Sequence, residues 1–361
     1  MNVKILLHLI VIAFLFTAPF SSDRASAQGF AGLGSAADGF AIPQPGVALR
    51  FPQDHGPHPD YRIEWWYLTA NLKSADGTDY GVQWTLFRTS LAPGDKPGWS
   101  SPQIWLGHAA VTTPQHHYVS ERLARGGSGQ AGVTTAPFSA WINDWQMTNV
   151  NPPNQAIDAL ADIAVSASGA DFRYALNLHA RGPLVPQGDN GYSVKSAAGQ
   201  ASYYYSQPFY SVQGKLTLPQ GEVAVTGQAW LDREWSSQPL AAGQTGWDWF
   251  SLHLDGGEKL MGFRLRDGGD GFTSATWISA EGKPEPLPPG ALKLSPLKTT
   301  EVAGRDVPTV WRVEVPSRHL DITTTALNPQ AWMATRTAYW EGPIRFEGTH
   351  KGLGYLEMTG Y

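Results

Sequence analysis

Acidic side chains stand among tryptophans at three places in this chain. The first run is Asp54-His55-Gly56-Pro57-His58-Pro59-Asp60-Tyr61-Arg62-Ile63-Glu64-Trp65-Trp66-Tyr67. The second is Trp230-Leu231-Asp232-Arg233-Glu234-Trp235, and Trp247-Asp248-Trp249 follows it. A carboxylate beside a large apolar surface is costly unless paired, and its pKa tends to rise. Such places are either structural ion pairs or sites of proton chemistry. Hydration of an alkene is one proton chemistry that needs such residue types. A carboxylic acid that stays protonated near neutral pH donates to the double bond. Electron-rich tryptophan faces stabilise the carbocation. A second group then deprotonates the attacking water.

In a strand, alternate side chains share a face. Trp230, Asp232 and Glu234 therefore point one way, and Leu231, Arg233 and Trp235 the other. Glu64 and Trp66 share a face against Ile63, Trp65 and Tyr67. A barrel lumen lined by one of these faces would offer carboxylates and indoles to an apolar ligand. Candidate ligand-binding residues are Trp66, Tyr67, Trp230, Trp247 and Trp249. Asp248 and Glu64 are candidate bases, and His55 is a candidate proton shuttle near Glu64. The same residues have a structural reading. Asp232-Arg233-Glu234 alternates charge as a rim ladder would, and Glu64 could pair with Arg62, Arg88 or Arg233. Tryptophans are also common core residues.

Other chemistries find less support. Gly56, Pro57 and Pro59 exclude a helix between His55 and His58, so their spacing does not define a metal site, and none is expected. No Gly-x-Ser-x-Gly elbow is present, and Gly127-Ser128-Gly129 lacks the strand–turn–helix setting of a serine nucleophile. The chain has no Cys, which removes both cysteine catalysis and disulfides. No phosphate-cradling glycine motif precedes a helix, so no cofactor is expected.

The elements that must position these residues are strands. Fifteen Trp, 39 Gly and 27 Pro describe a β-rich chain with many turns. Glu64 to Leu72 reads as a strand, Ser74-Ala75-Asp76-Gly77 as a turn, and Tyr80 to Thr89 as the partner strand. A later hairpin repeats the plan: Trp247 to Leu254, then Asp255-Gly256-Gly257, then Lys259 to Arg266. The order Trp-Trp-Tyr, turn, Phe87-Arg88 has its counterpart in Trp247-Asp248-Trp249, turn, Phe263-Arg264, which reads as an internal duplication. Tyr339-Trp340-Glu341-Gly342 and Gly352 to Met358 read as closing elements of a second barrel. The fold class expected is all-β, with two tandem antiparallel β-barrel domains. Their expected spans are 51–230 and 231–361, with an extended lead-in over 28–50.

The blocks Asp54-His55-Gly56, Glu64-Trp65-Trp66-Tyr67, Trp230 to Trp235, Gln238-Pro239-Leu240 and Trp247-Asp248-Trp249 resemble the AttH/CrtC-like family. That family includes bacterial predicted secreted hydrolases and carotenoid hydratases, with related fungal enzymes acting on polyketide and isoflavonoid skeletons. The resemblance runs from about Phe51 to Tyr361. It implies lipocalin-like barrels, and it places Asp232 at the family's carboxylate position as the candidate acid. Where carotenoid hydratases are expected to carry a His-Asn pair, this chain has Arg233-Glu234, which points toward the secreted branch.

The first residues read as an export signal. Lys4 precedes an apolar run from Ile5 to Phe20, and Ala25-Ser26-Ala27 offers a cleavage site before Gln28. A periplasmic or secreted protein is expected, with residues 1–27 removed and no integral membrane segment remaining. The net charge of −5 and the absence of a basic tract speak against nucleic acid as a partner. Three functions stay open: a cofactor-free hydratase, lyase or isomerase acting on a small hydrophobic molecule, a carrier of such a molecule, and an envelope factor that binds a protein partner. The first needs a perturbed carboxyl inside a pocket, the second only an apolar cavity, and the third an exposed aromatic patch.

Overall fold

The protein is described from a computed structural model that covers residues 37–152, 157–238, 240–241 and 243–361. The expected signal peptide, and residues 28–36 of the lead-in, lie outside the described residues.

Thirteen strands form a first antiparallel sheet. They are β1 (Ile63–Ser74), β2 (Asp79–Ser90), β3 (Gln103–Thr112), β4 (His117–Arg125), β5 (Ala131–Thr135), β6 (Phe138–Ile142), β7 (Trp145–Asn149), β8 (Asp162–Ser168), β9 (Arg173–Ala180), β10 (Val185–Pro186), β11 (Tyr192–Val194), β12 (Ala201–Leu218) and β13 (Gly221–Ser236). Ten more form a second: β14 (Gly246–Leu254), β15 (Lys259–Arg266), β16 (Phe272–Ile278), β17 (Pro284–Pro286), β18 (Lys293–Val302), β19 (Arg305–Val315), β20 (Leu320–Ala326), β21 (Trp332–Met333), β22 (Tyr339–Gly348) and β23 (Gly352–Met358). The main path of the first sheet runs β4-β3-β2-β1-β13-β12-β9-β8-β7-β6-β5, and that of the second β17-β16-β15-β14-β23-β22-β20-β19-β18. One is a nearly closed barrel and the other a half-barrel, in agreement with two tandem lipocalin-like domains.

The break between sheets falls after Ser236, not after Trp230 as the sequence suggested. β13 pairs with β1 along its whole second half, from Ser74↔Val225 to Ile63↔Ser236, so Trp230 to Ser236 belong to the first barrel. The duplicated hairpin is present in register. Glu64 faces Arg88 and Trp65 faces Phe87 in β1/β2, while Asp248 faces Arg264 and Trp249 faces Phe263 in β14/β15. The match extends to the closing strands, where Trp65 faces Glu234 and Trp249 faces Glu357.

Each barrel has its own core. Trp66, Trp84, Trp145 and Leu86 fill the first, and Phe250, Leu252, Trp311 and Trp340 the second. A third cluster, including Tyr67, Tyr204, Trp230, Trp249 and Phe263, lies between the barrels. The outer face of β1 and β13 is therefore as buried as the inner one. This explains why Ile63 to Leu72 reads as an unbroken aromatic and aliphatic run with few polar breaks.

The barrels meet closely. Asn71 Nδ2 donates to the Gly354 carbonyl at 2.9 Å, and Asn328 Nδ2 to the Thr113 carbonyl at 3.2 Å. At Gly81 a methyl group would lie 2.5 Å from Pro343 Cγ and 2.7 Å from Tyr355 Oη, so the contact requires glycine. Gly81→Ala is expected to destabilise the protein by about 1–3 kcal/mol through overpacking. A thermal unfolding midpoint unchanged from the parent would disprove this account of the contact.

Candidate active site

The alternation expected for β13 holds, but the face that carries Asp232 looks away from the lumen. The lumen is filled by Trp66, Leu68 and Leu231. Asp232 and its cross-strand neighbour Tyr67 instead line a cavity of about 90 Å³ in the seam between barrels. Its apolar walls are Trp65 from β1, Trp247 and Trp249 from β14, and Phe263 and Leu265 from β15. Three carboxyl groups reach it: Asp232 and Glu234 from β13, and Glu357 from β23.

Asp232 is buried, and among the described residues no cation forms an ion pair with it. Tyr204 donates its hydroxyl to Oδ2 at 2.7 Å, the Trp230 indole N–H donates to Oδ1 at 2.6 Å, and Ser206 also donates to Oδ1. Burial raises its pKa to about 7; the three donors oppose the shift and the nearby Glu234 adds to it. Glu234 differs, because Lys195 Nζ lies 2.7 Å from it and Ser202 also donates. Lys195 sits 4.3 Å from the Phe263 ring centroid and 4.9 Å from that of Tyr204, so it is held as a cation against aromatic faces.

Glu357 accepts from the Trp247 indole and stands opposite Glu341 across β22/β23. Glu341 accepts from the Tyr67 hydroxyl at 2.6 Å. Two carboxylates directly opposite each other in a ladder repel; here Glu341 is buried and Glu357 partly buried. Burial, then their mutual repulsion, raises the pKa of Glu341; burial, together with the charges of Asp232 and Glu234, raises that of Glu357. The seam thus gathers carboxyls whose neutral form is favoured close to physiological pH.

The structure brings together Asp232, Tyr67, Trp247 and Trp249 in the cavity, with Trp230 as a donor to Asp232. It does not bring the other candidates there. Glu64 points into the first barrel, bonded to Arg88, to Arg233 Nη2 at 3.2 Å and to His58 Nδ1 at 3.1 Å. Burial would raise its pKa, but Arg88, His58 and Arg233 outweigh that and hold it far below the usual carboxylate range. An acid so firmly ionised, on the opposite face of the sheet, is placed as a structural ion pair. Asp248 occupies the matching position in the second barrel, with Arg264 Nη2 at 2.8 Å and Arg266 Nη1 at 2.5 Å. His55 is buried between Tyr205 Oη (2.7 Å from Nδ1) and Asp158 Oδ2 (3.2 Å from Nε2), where it anchors the entry loop. Trp66 lies in the first core, 3.8 Å under the Arg233 guanidinium. Among the described residues no group of three His, Asp or Glu is arranged to hold a metal ion.

Sequence reasoning missed Glu341, Glu357, Tyr204 and Lys195. Glu341 and Glu357 sit on strands that were recognised, and placing the two strands in register would have set the acids side by side.

Comparison with known proteins agrees with this architecture. The AttH-like family model matches residues 42–361. A Nitrosomonas europaea crystal structure provisionally assigned as AttH is 33% identical, with a TM-score of 0.78 over 89% of this chain and 99% of its own. Kievitone hydratase from Nectria haematococca has a TM-score of 0.65 at 16% identity, covering 89% of this chain and 96% of its own. CghA with Sch210972 has a TM-score of 0.55 at 14% identity, covering 90% and 97%. The last two likenesses are of fold. No curated protein matches the chain.

Two stability measurements separate the two kinds of carboxyl. Asp232 has a folded pKa of about 7 against an ordinary value of 3.8. Between those values the folded chain keeps a proton that the unfolded chain releases, so its contribution to stability is lost as pH rises through the window. Asp232→Asn is therefore expected to gain on the parent between about pH 4 and pH 8, by on the order of a few kcal/mol. Parallel stability curves for the two proteins would refute the shift. Glu64→Gln, which leaves Arg88 and Arg233 without their counter-charge, is expected to lose about 3–5 kcal/mol at neutral pH. A loss under about 1 kcal/mol in denaturant titration would show the pair to be dispensable.

Proposed function

The chain belongs to the AttH-like family, and on that premise we propose that its seam cavity binds an apolar, unsaturated small molecule and hydrates it without a cofactor. The observation that supports this most directly is Asp232: a buried carboxyl with no basic partner among the described residues, set among indoles, with a pKa of about 7. The ligand class is isoprenoid-like or polycyclic, in keeping with the aromatic walls and with the hydratase among the structural neighbours. The protein would act in the periplasm or outside the cell, after loss of residues 1–27.

In the proposed step, neutral Asp232 gives its proton to one alkene carbon. The cation that forms on the other carbon is stabilised by the faces of Trp247 and Trp249. Lys195 does not oppose it strongly, because Glu234 balances that charge. Water adds to the cation and passes a proton to the Glu357 carboxylate. The product is an alcohol, Asp232 is left ionised and Glu357 protonated, and proton exchange resets the pair. Glu357 takes the base role first expected of Asp248 or Glu64, since it lines the cavity and they do not. A base poised near neutral pH serves both halves of such a cycle.

The test is incubation of the protein with acyclic isoprenoids and unsaturated polycyclic phenols in heavy-oxygen water. One member is expected to quench tryptophan fluorescence and to gain one labelled oxygen. Asp232→Asn should keep the quenching and lose turnover by about 10²–10⁴-fold. Turnover in the parent should fall as pH rises above about 7, where the acid form of Asp232 is depleted. Quenching without label for every binding compound would mean a carrier and would end the hydratase reading.

A further inference from the structure

Two of the three groups that meet Asp232 are hydroxyls, and a hydroxyl is reversible. It donates one hydrogen and accepts others, so Tyr204 and Ser206 could take the proton of Asp232 as readily as offer their own. What stands behind each hydroxyl decides its direction. The Trp249 indole N–H, which can only donate, gives a hydrogen bond of 3.1 Å to Tyr204 Oη. The Gln187 amide Nε2 donates to Ser206 Oγ at 2.8 Å. A hydroxyl that accepted from behind and also from Asp232 would leave its own hydrogen buried without an acceptor, which costs more than a hydrogen bond gains. Tyr204 is thereby held as a donor to Oδ2 and Ser206 as a donor to Oδ1. One lock comes from each barrel, since Trp249 lies on β14 and Gln187 follows β10. The Gln187 backbone is itself fixed: its N–H donates to the Tyr204 carbonyl at 3.0 Å, and its carbonyl accepts from Gly191 at 2.9 Å. Its side chain is buried outside the cavity wall, and Oε1 has no hydrogen-bond partner among the described residues. A buried amide with its oxygen unpaired costs stability that an apolar side chain of the same length would not. The use left to the residue is its N–H toward Ser206.

We propose that Gln187 and Trp249 are positioning residues that lock Ser206 and Tyr204 as donors, so that the carboxyl proton of Asp232 finds its acceptor in a cavity ligand and not in the protein. The third neighbour, the Trp230 N–H, is a donor by its nature and needs no lock. Every hydrogen of this network points at Asp232. When the proton leaves, both hydroxyls already face the anion, and each is polarised by the donor behind it. The ionisable groups that face Asp232 are Tyr67 from β1, Tyr204 from β12, Glu234 on its own strand, Glu357 from β23, and Lys195 from the segment before β12. No hydrogen bond joins any of these side chains to the Gln187 side chain, whose partner is Ser206. A change at Gln187 therefore reaches Asp232 through one hydroxyl.

The inference deepens the acid role proposed for Asp232 and rests on it for its use, but its test involves no turnover. The readout is infrared: the carbonyl band of protonated Asp232, assigned by its loss in Asp232→Asn, is titrated against pH. In Gln187→Met, which keeps the length and removes the amide, Ser206 is free to turn and accept from neutral Asp232. The neutral form gains a hydrogen bond, so the midpoint is expected to rise by roughly half to one pH unit. The same substitution in a Ser206→Ala background should leave the midpoint where Ser206→Ala alone puts it. A general effect of packing at position 187 would move both. An unchanged midpoint in Gln187→Met overturns the proposal. So does a lowered one, which would mean that the amide takes the Ser206 hydrogen, and so does an equal rise in the Ser206→Ala background. Should Gln187→Met not fold, Trp249→Phe, read alone and in a Tyr204→Phe background, puts the same question to the other lock with the same outcomes. Absence of labelled alcohol for every compound would leave a midpoint shift standing, and an unchanged midpoint would leave the hydratase reading standing.

Discussion

A buried carboxyl must be neutralised, and this protein does it in two ways according to which face of a strand the acid occupies. Acids that point into a barrel receive arginines: Glu64 has Arg88 and Arg233, and Asp248 has Arg264 and Arg266. Acids that point into the seam receive hydroxyls, indoles and one another. Removing an ion from water is severe enough that the second group has one recourse, which is to keep a proton. Strand alternation therefore does more than sort polar from apolar residues. It sorts carboxylates that remain charged from carboxyls that can give a proton up. Lys195 marks the edge of this rule, since it keeps Glu234 within the first class although Glu234 lines the seam.

The duplication makes the seam possible and also unequal. Trp65 and Trp249 hold the same register position in their barrels, as do Glu234 and Glu357. Two steps along the closing strands the equivalence ends, for Tyr67 faces Asp232 in the first barrel and Ser251 faces Tyr355 in the second. The cavity thus combines two related surfaces of which one carries an extra acid. Neither barrel alone would bury Asp232, because the walls opposite it come from β14 and β15. The proton chemistry proposed for the cavity depends on inter-barrel packing as much as on any single side chain, which is why a close contact as remote as Gly81 against Pro343 belongs to the same argument.

The fold was legible because its signals are local. Turn residues such as Asp76-Gly77 and Gly256-Gly257 and the paired aromatic hairpins announced two β-domains. The domain edge was misplaced because β13 is long and its second half, from Trp230 onward, is buried on both faces, so it resembles a new strand more than the end of an old one. In the site, Asp232 was singled out by the resemblance to the family's carboxylate position, and Tyr67, Trp247 and Trp249 by standing in the same acid-and-tryptophan blocks. Alternation does not say which face meets another domain, and so it left open whether the Asp232 face lined a lumen or a junction; bulky residues fill the lumen. Glu64 and Asp248 were recognised as acids without the register that sets Arg88 and Arg264 opposite them. Glu341 and Glu357 went unnoticed for the same reason: each is unremarkable within its own strand, and their significance appears only when β22 and β23 are laid side by side.

Burial by itself would make Asp232 a poor acid. A carboxyl surrounded only by hydrocarbon keeps its proton because the anion has nowhere to place its charge, and the same deficit then opposes proton transfer to a substrate. Asp232 is arranged differently, with Tyr204, Ser206 and Trp230 already donating to its two oxygens. These donors do not lower its pKa to the ordinary range, since burial outweighs them. They do reduce the penalty of the anion left when the proton departs, without any reorganisation at that moment. Trp230 thus acts as a fixed dipole on the acid, and the cavity walls are left to Trp247 and Trp249. An acid that is neutral at rest and tolerably solvated when ionised suits the proposed addition of water to a double bond, a character that the inward-facing acids, held by arginines, do not share.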